Sequence, residues 1–226
     1  MNVLELFAGS RSIGKVAESR GHTVYSSDIN DFTDIAYVVD ILEFDVEKVP
    51  FVPDFIWCSP PCTYFSVASI GHHWHENHTP KTENALLGVK IVEKTLEIIN
   101  HFLELNPNLI WYMENPRGKL RKLPVVKGDF DRTTVTYCSY SAHTMKPTDV
   151  WTNNLYSMFN LDGWKPRPKC FAGNKKCHHE EAPRGSKTGI QGLKDNYERS
   201  KLPPELCLEI IESVELKMGS VIPQNN

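Results

Sequence analysis

Short β-rich runs alternate with helical patterns along the first half of the chain, and no other feature narrows the possible folds as far. Val3 to Phe7 reads as a strand, Ser12 to Arg20 as a helix opened by a serine, and Thr23 to Ser27 as a second strand ending at Asp28. Phe55 to Cys58 reads as a short buried strand. Leu86, Val89, Val92, Leu96, Ile99, Phe102 and Leu103 then fall at helical spacing within a helix over 84–105, which Pro107 closes before a strand over Leu109 to Met113. Such alternation predicts an α/β fold with a doubly wound, mostly parallel sheet, because parallel neighbours need crossover helices. Thr133 to Tyr137 and Asp149 to Thr152 read as later strands, and a last helix starts at Pro203-Pro204 and runs to about Lys217.

The chain has 226 residues, 40% of them hydrophobic, which suits one ordinary domain with a sizeable core. Residues 1–152 are expected to form a catalytic core, 153–200 a small basic, loop-rich insertion, 201–218 a helix returning to the core, and 219–226 a tail. No run reaches the roughly 20 apolar residues of a membrane span. Met1 to Phe7 begins a strand with no basic flank like that of a signal peptide, so a cytosolic protein is expected. The six cysteines, Cys58, Cys62, Cys138, Cys170, Cys177 and Cys207, lack the density of a secreted disulfide framework and read as reduced. The net charge of −3 gives no global nucleic-acid signal, so a polyanion would have to meet a local patch. Two mainly basic stretches qualify: Arg117, Lys119, Arg121, Lys122 and Lys127, then Lys165, Arg167, Lys169, Lys175, Lys176, Arg184 and Lys187. A solvated surface would account equally well for either run alone.

Three constellations carry chemistry. In Phe7-Ala8-Gly9-Ser10-Arg11-Ser12-Ile13-Gly14, a strand turns into a helix through a glycine-bearing loop, the arrangement that brings backbone amides and a helix N-terminus to a cofactor. Asp28 ends the next strand, where a carboxylate can accept ribose hydroxyls, and Asp40 follows a third strand, placed to bond an adenine amino group. In Trp57-Cys58-Ser59-Pro60-Pro61-Cys62, a buried strand runs into a rigid turn that holds up a cysteine, a good nucleophile if its thiolate forms and otherwise an inert thiol. Glu114, in Met113-Glu114-Asn115-Pro116, ends another strand, and carboxyl ends of neighbouring parallel strands share one crevice.

Phe-x-Gly near the N-terminus, Pro-Cys after the fourth strand and Glu-Asn-Pro after the fifth, in that order, resemble the DNA cytosine-C5 methyltransferase family over about residues 3 to 118. The resemblance implies a Rossmann-like, S-adenosylmethionine-dependent methyltransferase fold and DNA as partner. It also implies that Cys62 attacks C6 of a flipped cytosine while Glu114 hydrogen-bonds N3 and the amino group. Cofactor contacts would fall on Phe7, Ala8, Gly9, Ser12, Asp28, Ile29, Asp40, Ile41 and Pro60, and substrate contacts on Pro61, Ser66, Asn115, Pro116, Arg117 and Lys146. The chain departs from the pattern at Arg11, where the family usually has a glycine, and in a downstream strand motif where Lys146 stands in for an arginine. Only about 50 irregular residues remain for target recognition, and this short form looks similar to methyltransferase-like proteins of bacteriophages and prophages.

Residues 67 to 83, with His72, His73, His75 and His78, form the loop that in the family closes over the base; their spacing does not favour a metal. Cys170, Cys177, His178 and His179 suit zinc better, since soft S and N ligands at short spacing could brace a loop without its own core. Arg184 to Gly189 and their basic neighbours are the expected DNA contact. One rival reading is an amino-methyltransferase, since Ser59-Pro60-Pro61 matches part of its motif, but Cys62 stands where that motif has an aromatic and Glu114 has no task there. Others are a C5 enzyme using RNA or another one-carbon donor, and a catalytically silent DNA-binding relative.

Overall fold

The chain opens with β1 (Asn2–Leu6), whose last four residues are buried. The computed structural model describes residues 1–67, 69–128, 130–180 and 196–221. After β1 come α1 (Ser12–Ser19), β2 (Thr23–Asp28), β3 (Tyr37–Val38), β4 (Phe55–Cys58), α2 (Ile70–His73) and α3 (Glu83–Leu105). The chain continues through β5 (Ile110–Pro116), β6 (Asp131–Thr136), β7 (Pro147–Thr152), α4 (Asn196–Ser200) and α5 (Pro204–Val221). The strands form one sheet in the order β3-β2-β1-β4-β5-β7-β6. β3, β2, β1, β4 and β5 are mutually parallel, while β7 is antiparallel to both β5 and β6. The mostly parallel sheet is therefore as expected. Its one reversed strand follows from the short connection after β6, which leaves no room for the crossover a parallel return would need.

Period-2 side-chain alternation splits the strand residues between two cores. Leu4, Ile56, Cys58, Trp111 and Met113 face α3, with Val92, Ile99 and Phe102. Val3, Phe55, Trp57, Ile110 and Tyr112 face the other layer, where Ile13 and Ala17 of α1 meet Leu206, Ile210, Ile211 and Val214 of α5. Burial on both faces is why the β4 run Phe-Ile-Trp-Cys is continuously apolar. The Thr82 hydroxyl caps α3 by accepting from Ala85 N at 3.2 Å. α1 has no side-chain cap at its own N-cap; the buried Glu5 carboxylate accepts from Ile13 N and Gly14 N, at 3.1 Å each, and burial pushes its pKa up to about 7.

Several boundaries differ from the sequence reading. β5 continues to Pro116 because β7 pairs along it, Glu114 opposite Val150, so Glu114 lies within the strand. β7 begins at Pro147 and β6 at Asp131, and α5 reaches Val221. The third strand is only two residues long. Between Thr152 and Glu180 the structure has no helix or named strand, only isolated bridges such as Leu155 to Trp164. No helix among the described residues is long and apolar enough to cross a membrane.

Candidate active site

The sheet order reverses between β1 and β4, and the carboxyl ends of β1, β2, β4 and β5 open on one edge, where α/β sheets form their crevices. All three sequence constellations arrive there.

Phe7, Gly9 and Arg11 adopt left-handed backbone, at φ 56°, 47° and 53°. Gly9 meets this requirement without strain, and the turn aims its N–H at Asp28 Oδ2, 2.9 Å away. Asp28 Oδ1 accepts from Asn30 N at 2.9 Å, so one carboxylate organises two loops. Arg11 sits at the N-cap of α1 in a left-handed conformation that a glycine would favour. Its guanidinium is buried and tied to Glu18, with Asp34 at 3.8 Å, so the side chain holds a backbone geometry that glycine would take freely. Ser12 Oγ lies 2.8 Å from Ser10 Oγ and accepts from Leu202 N at 3.2 Å, joining this loop to the segment before α5. Ala8 is buried and donates its N–H to Ser27 O at 2.9 Å. Ile29 is 63% exposed beside Asp28. Asp40 caps the turn Ile41–Glu43 through Leu42 N at 3.0 Å, with Ile41 buried beneath it.

After β4, Pro60 and Pro61 turn the chain into a single 3-10 turn, Cys62–Tyr64. The two neighbouring cysteines differ. Cys58 is wholly buried, donates to Tyr112 O at 3.3 Å and has its thiol pKa pushed well up by burial, whereas Cys62 is partly exposed. The Cys62 pKa is raised by burial and then by the Glu114 charge; Lys146 and Arg199 pull it down. Glu114 is 5% exposed and accepts from the Tyr137 hydroxyl at 3.1 Å. Burial raises its pKa, opposed by Lys146 and by hydrogen bonds from Tyr137 and Ser59. Asn115, fully buried, donates Nδ2 to Pro60 O at 2.8 Å and so pins the Glu-Asn-Pro strand end to the Pro-Cys turn. Gly118 completes the closure, because a Cβ there would stand 2.2 Å from Phe65 O, where Lys119 N donates at 2.7 Å.

Lys146 is buried, stacks 4.5 Å from the Tyr137 ring centroid and donates to Arg199 O at 2.9 Å. α4 thus bridges the two sides of the crevice, since its Tyr197 ring packs 5.5 Å from Phe32 in the loop after β2. A cavity of about 690 Å³ lies beside it, lined by Ser12, Tyr137, His143, Lys146, Glu198 and Leu202 among others. Its lining does not include Cys62 or Asp28. Pro116 and exposed Arg117 follow Asn115 at the rim, where Arg117 N donates to Pro147 O at 2.8 Å, and Ser66 Oγ lies 3.0 Å from Ser69 Oγ.

The sequence reading missed Tyr137, taken only as a strand end, and the brace behind it. Arg121 grips Asp149 with Nε at 2.8 Å and Nη2, while Thr134 Oγ1 also donates to Asp149 at 2.8 Å. This pairing clamps β6 and β7 beside β5. The histidine loop carries no metal group among the described residues: His73 Nδ1 bonds Thr82 Oγ1 at 2.7 Å, and His78 Nδ1 accepts from Lys119 at 2.7 Å. The expected cluster at 170–179 is corrected in one member. His178 Nε2 meets Ala142 O at 3.0 Å, and Cys138 takes its place beside Cys170, Cys177 and His179. The Arg184–Gly189 stretch lies outside the described residues.

No protein-family profile matches the chain. It is 28% identical over 230 residues to a probable DNA (cytosine-5)-methyltransferase of Frog virus 3 (isolate Goorha), across 94% of this chain and 99% of that one. Among solved structures it is similar to the Entamoeba histolytica methyltransferase EhMeth, with a TM-score of 0.50 and 12% identity over 95% of this chain and 97% of that one. It also matches the S. pombe Dnmt2 methyltransferase with a TM-score of 0.45 and 14% identity, over 74% of this chain, spanning 56% of that enzyme's length. Over nearly its whole length the chain is thus similar in sequence to a probable DNA (cytosine-5)-methyltransferase, and in fold it is similar to a methyltransferase.

Proposed function

We propose that the chain is an S-adenosylmethionine-dependent DNA (cytosine-5)-methyltransferase acting through Cys62. One observation carries this reading: Asn115 Nδ2 donates to Pro60 O at 2.8 Å, so the strand that carries Glu114 is pinned to the turn that carries Cys62 across two adjacent parallel strands. An amino-methyltransferase has no use for such a pair. C5 of cytosine is a poor nucleophile until a thiolate adds at C6. Cys62 makes that bond while Glu114 stabilises the developing charge by holding a proton at N3. Tyr137 and Ser59 orient the Glu114 carboxyl, and Lys146 compensates its charge. When the C5 proton has left, the bond between Cys62 and C6 breaks and the thiolate returns.

The donor would be held by Phe7, Gly9, Asp28, Ile29, Asp40 and Ile41. An exposed apolar Ile29 beside a half-buried strand-end carboxylate fits an aromatic base with a ribose diol. S-adenosylmethionine, when bound, supplies the electrophilic methyl group. Asp28→Ala is expected to weaken its binding by at least about tenfold in calorimetry, since a charge-assisted bond and the Gly9 contact are lost together. Unchanged affinity would remove Asp28 from the site. Residues 153–200 are the proposed DNA-contacting insertion, supported by the exposure of Lys165, Lys169, Lys175 and Lys176.

The reading is tested by incubating the full chain with labelled S-adenosylmethionine and either duplex DNA or RNA, then hydrolysing to nucleosides. The expected product is 5-methyldeoxycytidine. N4-methylcytosine or N6-methyladenine would assign the amino chemistry, and label confined to RNA would overturn the DNA substrate.

A further inference from the structure

Residues 165–180 pose a folding problem. The segment carries Lys165, Arg167, Lys169, Lys175 and Lys176, has no helix or strand, and exposes its one large apolar side chain, Phe171. Its single buried residue is His179. Hydrophobic burial cannot fix such a stretch, which is held by polar ties. Ser139 Oγ donates to Pro168 O at 2.8 Å, Cys170 N to Thr136 Oγ1 at 2.8 Å, and Glu180 N to His143 O at 2.9 Å. Arg167 adds pairs with Glu205 and Glu209.

What the buried histidine packs against is a set of thiols. Cys138, from the turn after β6, meets Cys170, Cys177 and His179 so that all four candidate ligand atoms lie within 4.8 Å of one another. We propose that these four side chains bind one Zn²⁺, which staples the basic segment 165–180 to the turn after β6.

The geometry suits that ion. Zn–S bonds of about 2.3 Å and Zn–N bonds of about 2.0–2.1 Å at tetrahedral angles set an S···N edge of about 3.5 Å and S···S edges of about 3.8 Å. Cys170 Sγ stands 3.6 Å from His179 Nδ1. The Cys138 Sγ stands within 4.8 Å of both Cys170 Sγ and Cys177 Sγ. Asn174 Nδ2 donates to Cys170 Sγ at 3.3 Å, the kind of outer contact that steadies a thiolate ligand. The turn between the two later cysteines is built for the approach: Gly173 takes φ 80°, and Cys177 N returns to Asn174 O at 3.0 Å. On binding, the three thiols give up their protons to solvent and the ion takes one lone pair from each ligand, with no change of oxidation state.

The consequence reaches the crevice. Cys138 directly follows Tyr137, whose hydroxyl donates to Glu114, so the ion would fix the turn that carries a positioning residue as well as the basic segment. The proposal stands on the cluster alone and does not depend on the methyl-transfer reading.

The test is made on the full chain purified without chelator. Metal analysis is expected to give about one zinc per chain. After removal with a strong chelator, titration with Co²⁺ should produce the intense visible bands of a tetrahedral, thiolate-ligated ion, and re-addition of Zn²⁺ should raise the melting temperature. Cys138→Ser and His179→Ala should each lose the stoichiometric metal, whereas His178→Ala should keep it. Failure of the native chain to retain zinc or take up Co²⁺ would overturn the proposal without recourse to any variant. So would retention by Cys138→Ser, loss by His178→Ala equal to that of His179→Ala, or two of the three cysteines found joined as a disulfide.

Discussion

DNA carrying 5-fluorocytosine at the target base is expected to form a covalent adduct with the wild-type chain that survives denaturation, provided S-adenosylmethionine is present. Thiolate addition at C6 is resolved only when a proton leaves C5 after methyl transfer, and fluorine cannot leave as that proton does. Cys62→Ala is expected to abolish the adduct and to reduce methylation by on the order of 10⁴–10⁶-fold, the scale reached when a catalytic nucleophile is deleted. Folding should be little disturbed, because Cys62 sits partly exposed on a short turn and belongs to neither buried core cluster. Cys58→Ala is the control. That thiol is wholly buried against Tyr112 O and should leave trapping intact. Methylation without a trappable adduct, together with a fully active Cys62→Ala chain, would transfer the assignment to the amino-methyltransferases.

The features legible in the sequence share a physical property: each is determined over a few adjacent residues. A strand running into Phe7-Ala8-Gly9, a Pro-Pro turn lifting Cys62 and a strand carrying Glu114 declare themselves locally, and the parallel sheet then delivers them to one edge. What stayed hidden depends on contacts between distant segments. Cys138 joins Cys170, Cys177 and His179 only because the turn after β6 folds against the irregular segment, so spacing along the chain favoured the adjacent His178 instead. Tyr137 gave no signal, since a tyrosine closing a strand is indistinguishable from core until its hydroxyl is seen on Glu114. The Arg121–Asp149 clamp is likewise assembled from a loop and β7, and Arg121 had been grouped with surface charge. Arg11 is the opposite case. The residue looked foreign to its motif, yet the backbone geometry is preserved by burying its guanidinium against Glu18.

Glu114→Gln should move two properties of the site in opposite directions. In the wild type the Cys62 pKa is raised by burial and by the neighbouring Glu114 charge, and removing that charge leaves burial alone, so the thiol pKa falls. More thiolate then exists at a given pH, and iodoacetamide should label Cys62 faster, read by mass spectrometry of its peptide across a pH series. Methyl transfer should nevertheless slow by about 10²–10⁴-fold in kcat, because an amide cannot hold a transferable proton at N3. The pair also predicts the form of the wild-type pH profile. The productive state has a thiolate on Cys62 and a proton on Glu114, one proton shared between two groups whose pKa values are both raised. As pH falls through the Glu114 pKa, a second proton is taken up and the rate drops; as pH rises through the Cys62 pKa, the shared proton is lost and the rate drops again. The acid limb should therefore lie above the ordinary carboxylate range. In Glu114→Gln that limb no longer reports a carboxylate, so the residual rate should climb with pH to a plateau set by Cys62 alone. A variant whose Cys62 labelling profile stays put, or whose methylation retains the wild-type bell, would show that the two side chains do not act on one substrate.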